Sequence, residues 1–305
     1  MERIYPINDL ATYNADNNHP TLHPLVSVID YSKASLRQWG EATTIKFQYG
    51  LYCIFLKDVK CGDIIYGREY YDYQAGTLVF FAPGQTSVME NPKEPYQPMG
   101  HGLIFHPDLF KGNQLAKLIQ ECNFFSYKTN EALHISDEER QTVLASFNKI
   151  YNELSRPIDK HSKKLINSNI ELLLNYCERF YDRQFISREH VNKSVVTKFE
   201  DQLNSFFNTN QAQTIGLPTV AYFANELNLS ANYFGDLIKR ETGYSVKEFI
   251  LMKLIDEAKE RIFEADKTVN EIAYELGFKY PQHFTRLFKQ KVGITPKEYK
   301  QISYK

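Results

Sequence analysis

The chain has 305 residues and a formal net charge of −1, from 36 basic and 37 acidic side chains, with 43% hydrophobic and 24% charged residues. That balance excludes disordered and collagen-like classes, leaves room for two domains with cores of their own, and gives no overall electrostatic sign of a nucleic-acid partner. The opening MERIYPINDLATYNADNNHP lacks a basic segment followed by an apolar one, and no run of about 18 apolar residues occurs, so a soluble cytoplasmic protein is expected.

Between residue 20 and about 110, short apolar runs alternate with turn signals: LVSVID, YGLYCIFLKDV, GDIIYG, GTLVFFAPGQ and HGLIFHPDLF. β-branched and aromatic enrichment with Gly and Pro punctuation predicts antiparallel strands in a β-sandwich or barrel. Tyr52, Phe55, Tyr71 and Phe80 fall in these runs and are candidates either to line a pocket or to fill a core. Cys53, Cys61, Cys122 and Cys177 have no CxxC or zinc-knuckle spacing and read as reduced structural thiols. A metal centre would need a cluster of His and carboxylate on neighbouring strands. His101 and His106, five apart, would point to opposite faces of one strand, while His19 and His23 precede the strands. No catalytic residue, metal site or cofactor is expected, and the chain is not read as an enzyme.

From Ser136 the pattern becomes helical. A Ser-x-x-Glu capping box, Ser136 to Glu139, precedes an apolar stripe of Val143, Phe147, Ile150 and Leu154. Leu165, Ile166, Ile170, Leu173, Leu174 and Cys177 form a second stripe. Together they predict an antiparallel helix pair that packs on the β domain or on a second subunit. SREHVNKS, residues 187–194, suits a linker, and VVTKFEDQLNSFF, 195–207, places Val196, Phe199, Leu203 and Phe206 on one helical face. NTNQAQTIGLP then reads as a loop.

Two similar phrases follow: FANELNLSANYFGDLIKRETGYSVKEF at 223–249 and IAYELGFKYPQHFTRLFKQKVGITPKEYK at 272–300. Ala224 matches Ala273 and Leu227 matches Leu276 at an offset of 49; past one inserted residue, Phe234 matches Phe284 and Gly243 matches Gly293 at 50. Each reads as a helix-turn-helix unit, about 219–241 and 269–291, within a seven-helix domain. Asn228 and Gly277 suit the left-handed residue that ends a first helix, while Ser230 and Pro281 suit the start of a second. Phe234, Leu237 and Ile238, with Phe284, Leu287 and Phe288, would anchor the second helices and leave their other faces open.

On the open face of the second unit, Gln282, His283 and Arg286 are candidates for reading bases, since Arg pairs with guanine and Gln with adenine in the major groove. The matching positions of the first unit are Asn232, Tyr233 and Asp236; Asp236 is out of character for a surface that meets phosphates, and either accepts from cytosine N4 or faces solvent. Lys239, Lys289 and Lys291 are phosphate candidates. After Tyr280 the chain carries six basic residues against one acid, Glu298. The apolar-striped helix between the units, SVKEFILMKLIDEAKERIF, would be about 28 Å long, close to the roughly 34 Å between successive major-groove faces on one side of a duplex.

The stretch from about 195 to 301 resembles the DNA-binding domain of the AraC/XylS family of bacterial transcription regulators. The residues that carry the likeness are Ile272, Ala273, Gly277, Phe278, Phe284, Arg286, Phe288, Lys289, Gly293, Thr295, Pro296 and Tyr299, with Lys300 in place of the family's final Arg. The front two thirds resembles, less specifically, the cupin-like sensing domain and helical dimerisation pair of many members, which implies effector sensing or dimerisation without identifying a ligand. The expected organisation is multidomain α+β. A cupin-like β-sandwich or barrel spans 1–130, a helical dimerisation segment 131–190, and an all-α DNA-binding domain with two helix-turn-helix units joined by a long helix 191–305. The function this implies is a homodimeric, cytoplasmic, sequence-specific regulator that binds double-stranded operator DNA and responds to a small-molecule effector, with RNA polymerase as a further partner. Two other readings stay open: a ligand-independent regulator whose front domain serves dimerisation or protein contacts, and a cupin-type metalloenzyme fused to a DNA-binding domain, which lacks the His clustering it needs.

Overall fold

A computed structural model describes residues 2–57, 76–112, 115–209, 211–264 and 267–302. The GDIIYG segment, Cys61, Tyr71 and Lys305 lie outside the described residues. The chain divides into two compact units, Met1–Ser187 and Arg188–Lys305.

The first unit is mixed α/β. Its elements are β1 (Glu2–Ile7), α1 (Leu10–Asp16), β2 (Val26–Asp30), β3 (Thr44–Tyr49), β4 (Tyr52–Lys57), β5 (Thr77–Phe81), β6 (Thr86–Glu90), β7 (His101–Phe105), α2 (Leu115–Glu121), β8 (Leu133–His134), α3 (Asp137–Leu154) and α4 (Ser162–Ser187). They build a three-stranded sheet in the order β1-β3-β6 and a five-stranded sheet in the order β2-β7-β4-β5-β8. Ile7 and Tyr49 of the first sheet share one core with Ile29, Cys53, Val79 and Ile104 of the second. One pairing departs from the antiparallel expectation: β1 runs parallel to β3, with Glu2 opposite Thr44 and Ile7 opposite Tyr49. The route from β1 to β3 passes through α1 and β2, long enough for a crossover that a hairpin would not allow. Burial pushes the Cys53 thiol far up and the Cys122 thiol up to about 12, consistent with structural cysteines.

The α3 capping box is formed as expected: Ser136 N donates to Glu139 Oε2 at 2.9 Å, and Glu139 N donates to Ser136 Oγ at 3.2 Å. Val143, Phe147, Ile150 and Leu154 are buried, as are Ile166, Ile170, Leu173, Leu174 and Cys177 on α4. Leu165 is the exception. It is 45% exposed, one position off the buried stripe set by Ile166 and Ile170. Near its end α4 grips the edge of the second sheet: Gln184 Oε1 accepts from His134 N at 2.7 Å, and Gln184 Nε2 donates to Ala132 O at 3.1 Å.

The second unit comprises α5 (Glu189–Asn208), α6 (Gln211–Ile215), α7 (Val220–Glu226), α8 (Ala231–Thr242), α9 (Val246–Ile262), α10 (Val269–Glu275), α11 (Pro281–Val292) and α12 (Pro296–Ile302). Two expectations are corrected here. Most of 187–194 is helical, because α5 begins at Glu189, and the segment expected as a loop contains α6, so the described residues of this unit form eight helices rather than seven. Phe199, Leu203 and Phe206 of α5 are buried as predicted. Among the described residues no helix is long and apolar enough to cross a membrane.

Candidate nucleic-acid interface

Both helix-turn-helix units turn by the same device. After α7, Asn228 N donates to Asn225 O at 3.0 Å and Leu229 N to Ala224 O at 2.8 Å; after α10, Gly277 N donates to Tyr274 O at 3.0 Å and Phe278 N to Ala273 O at 2.9 Å. These paired bonds are Schellman caps, and they require a left-handed residue, met by Asn228 (φ 57°) and Gly277 (φ 91°). The inserted residue that changes the repeat offset follows the cap. Residues 227–230 separate the helices of the first unit and 276–280 those of the second. Ser230 Oγ accepts from Tyr233 N at 3.1 Å to start α8, whereas α11 begins with Pro281, whose missing N–H costs nothing there.

The caps orient two second helices whose apolar faces are buried through Phe234, Leu237 and Ile238 on α8 and through Phe284 and Phe288 on α11. On α11, Gln282, His283, Arg286, Lys289 and Lys291 are all exposed. Gln290, at helical spacing from Arg286, is exposed beside them and was not singled out from sequence. Lys279 and Tyr280 were missed as well: Tyr280 is exposed, with the Lys279 ammonium 5.7 Å from its ring centroid and the His283 ring edge-on at 5.5 Å. The extra residue in the second turn was the sequence signal that could have drawn attention to them.

The first unit is not a copy of the second at this surface. Asn232 and Lys239 are exposed and Asp236 is half-buried, but Tyr233 is 6% exposed and belongs to the core. The position that presents His283 on α11 thus turns inward on α8, because Tyr233, Phe234, Leu237 and Ile238 make a broader apolar stripe. Tyr233 is therefore removed from the exposed reading set.

The connecting helix α9 has 17 residues, about 26 Å of rigid spacer. Its last turn is tied to both sides: Arg261 reaches Glu257 at 3.5 Å and Glu275 of α10 at 3.6 Å, and it donates to Phe207 O at the end of α5. Lys267 bridges Glu264 and Glu275 at 2.7 and 2.8 Å. Its first turn is closed by a capping box in which Ser245 Oγ and N donate to Glu248 Oε2 at 2.7 and 2.8 Å. Those bonds, helped by the charges of Lys291 and Lys239, hold the Glu248 carboxyl below its ordinary range. The lysines that end α8 and α11 are therefore both in electrostatic reach of one point on the spacer. The geometry is that of two preset second helices carrying polar and cationic side chains, suited to insertion in a groove and contact with phosphates.

The first unit holds a cavity of about 140 Å³ whose lining includes Tyr13, Tyr31, Arg37, Phe55 and Phe81. Of the aromatics considered from sequence, Phe55 lines it. Tyr52 instead stacks on Phe105 at 5.3 Å, and Phe80 packs against Phe124 at 4.7 Å, as core residues do.

Two helix-turn-helix units on one helical spacer define a tandem DNA-binding protein of the transcription-regulator class. A helix-turn-helix domain model (HTH_18) matches residues 223–302. The HTH-type transcriptional regulator YobQ of Bacillus subtilis (strain 168) is 31% identical over 262 residues, which cover 82% of this chain and 96% of YobQ. The chain belongs to the AraC-type helix-turn-helix transcriptional regulators. A second B. subtilis regulator, YfiF, is 30% identical over 146 residues, covering 48% of this chain and 43% of YfiF. Against other curated relatives the chain spans as little as 11% of their length. Among solved structures, the C-terminal domain of the two-component response regulator yesN from Fusobacterium nucleatum subsp. nucleatum ATCC 25586 aligns with 35% of this chain and 98% of its own, at 23% identity and TM-score 0.31.

Proposed function

We propose that the protein is a homodimeric cytoplasmic regulator of transcription that grips operator DNA with α8 and α11 and takes a small-molecule effector in its first unit. In this reading the two sheets form a cupin-like sensing domain and α3 with α4 the dimerisation pair. Effector occupancy changes how the paired DNA-binding units are presented to their half-sites and to RNA polymerase. The observation that carries the DNA-binding part is the exposed row Gln282, Arg286 and Lys289 on a helix whose opposite face is locked by buried Phe284 and Phe288. Gln282, His283, Arg286, Asn232 and Asp236 read bases, and Lys239, Lys289 and Lys291 hold phosphates.

Arg286→Ala is expected to weaken binding to an operator selected from random duplexes by about 1–3 kcal/mol, while the far-UV spectrum and melting temperature stay in place. Unchanged affinity at fixed salt would remove Arg286 from the reading set. Lys289→Ala is expected to weaken specific and non-specific duplexes alike and to reduce the slope of log K against log salt by about 1. A salt titration on both duplexes checks this, and a loss confined to the operator would make Lys289 a base reader instead.

The effector reading is supported by the cavity lined from both sheets, with Ile7, Phe47 and Phe55 among its walls.

A further inference from the structure

A glycine inside a helix needs a reason, because it costs about fivefold in the folding equilibrium relative to Ala. Among the described glycines, nine adopt a positive φ, between 65° and 107°, where a side chain is strained. At Gly50 and Gly102, which do not, an added Cβ would run into Asn8 and Tyr31. Gly235 has neither reason. It lies inside α8, its φ is not positive, and nothing stands within 4 Å of the carbon that an alanine would add. The fold by itself would favour Ala there, so the space is kept for something outside the fold.

Gly235 is partly exposed on the flank of the open face of α8, one turn from Ala231 and Lys239 and three residues after Asn232, all of them exposed. Its counterpart on α11, at the offset of 50, is Thr285, whose Oγ1 donates back to Pro281 O at 3.2 Å. The neighbouring pairs differ in the same direction: Asn232 stands where the second helix-turn-helix unit has Gln282, and Asp236 where it has Arg286. At all three matched positions α8 carries the shorter side chain. A helix that reaches base edges with shorter arms must lie nearer to them, and a missing Cβ permits that approach.

The chemistry of the hollow narrows what enters it. A helix interior spends its N–H and C=O groups within the helix, so the backbone at 235 has no polar group left for a base. In the major groove the apolar projection from a base edge is the thymine 5-methyl group. We infer that Gly235 is a specificity-determining residue: it seats the backbone of α8 against one base pair and selects thymine there through its 5-methyl group. The assignment rests on the reading of α8 as a groove-inserted helix and names what one position of that helix recognises.

The test uses the full chain and an operator selected from random duplexes. Gly235→Ala is expected to raise the denaturant midpoint, since the helix gains and nothing is displaced. The same variant is expected to bind the operator about tenfold or more weaker, because two methyl groups would compete for one space, and to bind non-specific duplexes as before. Each thymine of the operator is then replaced by deoxyuridine, which lacks only the 5-methyl group. At one thymine, or one symmetry-related pair, the replacement is expected to weaken wild-type binding about fourfold and to restore part of the affinity that Gly235→Ala loses. Operator binding unchanged in Gly235→Ala, an equal loss on non-specific duplexes, or the lack of any rescuing deoxyuridine each overturns the methyl readout. A lowered midpoint overturns it too, since other protein atoms would then occupy the space. Lys239→Ala, on the same face, separates the two levels. If it weakens binding while Gly235→Ala does not, α8 still grips DNA and the role of the glycine falls; if neither variant changes binding, the placement of α8 in the groove falls with it.

Discussion

Gly277→Ala is expected to destabilise the second unit by about 3 kcal/mol, measured as a fall in the denaturant midpoint at constant slope. Two separate costs add. At φ 91° the backbone is left-handed, where an L side chain costs about 1–2 kcal/mol. A Cβ there would also stand 2.7 Å from Gly216 C and 2.9 Å from Ala212 O, backbone atoms that have no rotamer with which to move aside, and such overpacking costs about 1–3 kcal/mol. The molecule contains its own controls. Gly293, at φ 93°, has nothing within 4 Å of the added carbon, so Gly293→Ala should show the conformational cost alone. Gly277→Asn keeps the clash but relaxes the conformation, as Asn228 does at the same place in the first unit. If Gly277→Ala costs no more than Gly293→Ala, the approach of α6 to this turn is not maintained in solution.

The same position shows what the sequence could and could not reveal. Asn228 and Gly277 were legible as helix stops because few residue types accept positive φ, and the cap bonds on both sides follow from that one fact. What could not be read was the reason for Gly rather than Asn in the second unit. It lies in Gly216, 61 positions earlier by number, and such a contact leaves no periodic trace. Tyr233 is a similar case. An amphipathic helix announces its apolar centre, but whether a tyrosine at the stripe's margin turns in or out depends on how wide the facing groove is. On α8 the buried set is Tyr233, Phe234, Leu237 and Ile238, against Phe284 and Phe288 alone on α11.

In the β region, β2, β4, β5 and β7 were visible because most of their residues are buried on both faces and they read as continuous apolar runs. β1, β3 and β6, the whole of the small sheet, escaped because their residues alternate or are mostly partly exposed, so none reads as a continuous apolar run. Their absence from the sequence reading hid the cavity. Tyr13 comes from α1, Arg37 from the segment before β3, and Ser87 and Met89 from β6, so the lining converges only once both sheets exist. Arg37 carries no local signal at all. Its meaning comes from Asn17, Tyr5 and Trp39, which tertiary structure brings to it.

The second large effect is expected at Phe199→Ala, with a loss of about 3–5 kcal/mol. Phe199 is fully buried on α5, outside the 223–302 segment that matches the helix-turn-helix model. Its ring lies 5.1 Å from both Phe223 on α7 and Phe234 on α8, each edge-on, and 5.4 Å from Phe249 on α9. One side chain from α5 therefore joins both helices of the first reading unit to the spacer that carries the second. Truncation leaves a cavity that three rings on three helices would have to close together, and dense cores relax only in part. Denaturant titration of the second unit reads the loss, and Phe199→Leu, which keeps most of the volume, should recover the larger share. Operator affinity should fall with stability. A destabilisation under 1 kcal/mol would show the aromatic cluster to be loosely packed, and would also undercut the stronger implication that the DNA-binding unit must begin near Arg188. On that implication a fragment from 188 folds alone, while one from 211 lacks the phenylalanine at the centre of its first reading unit.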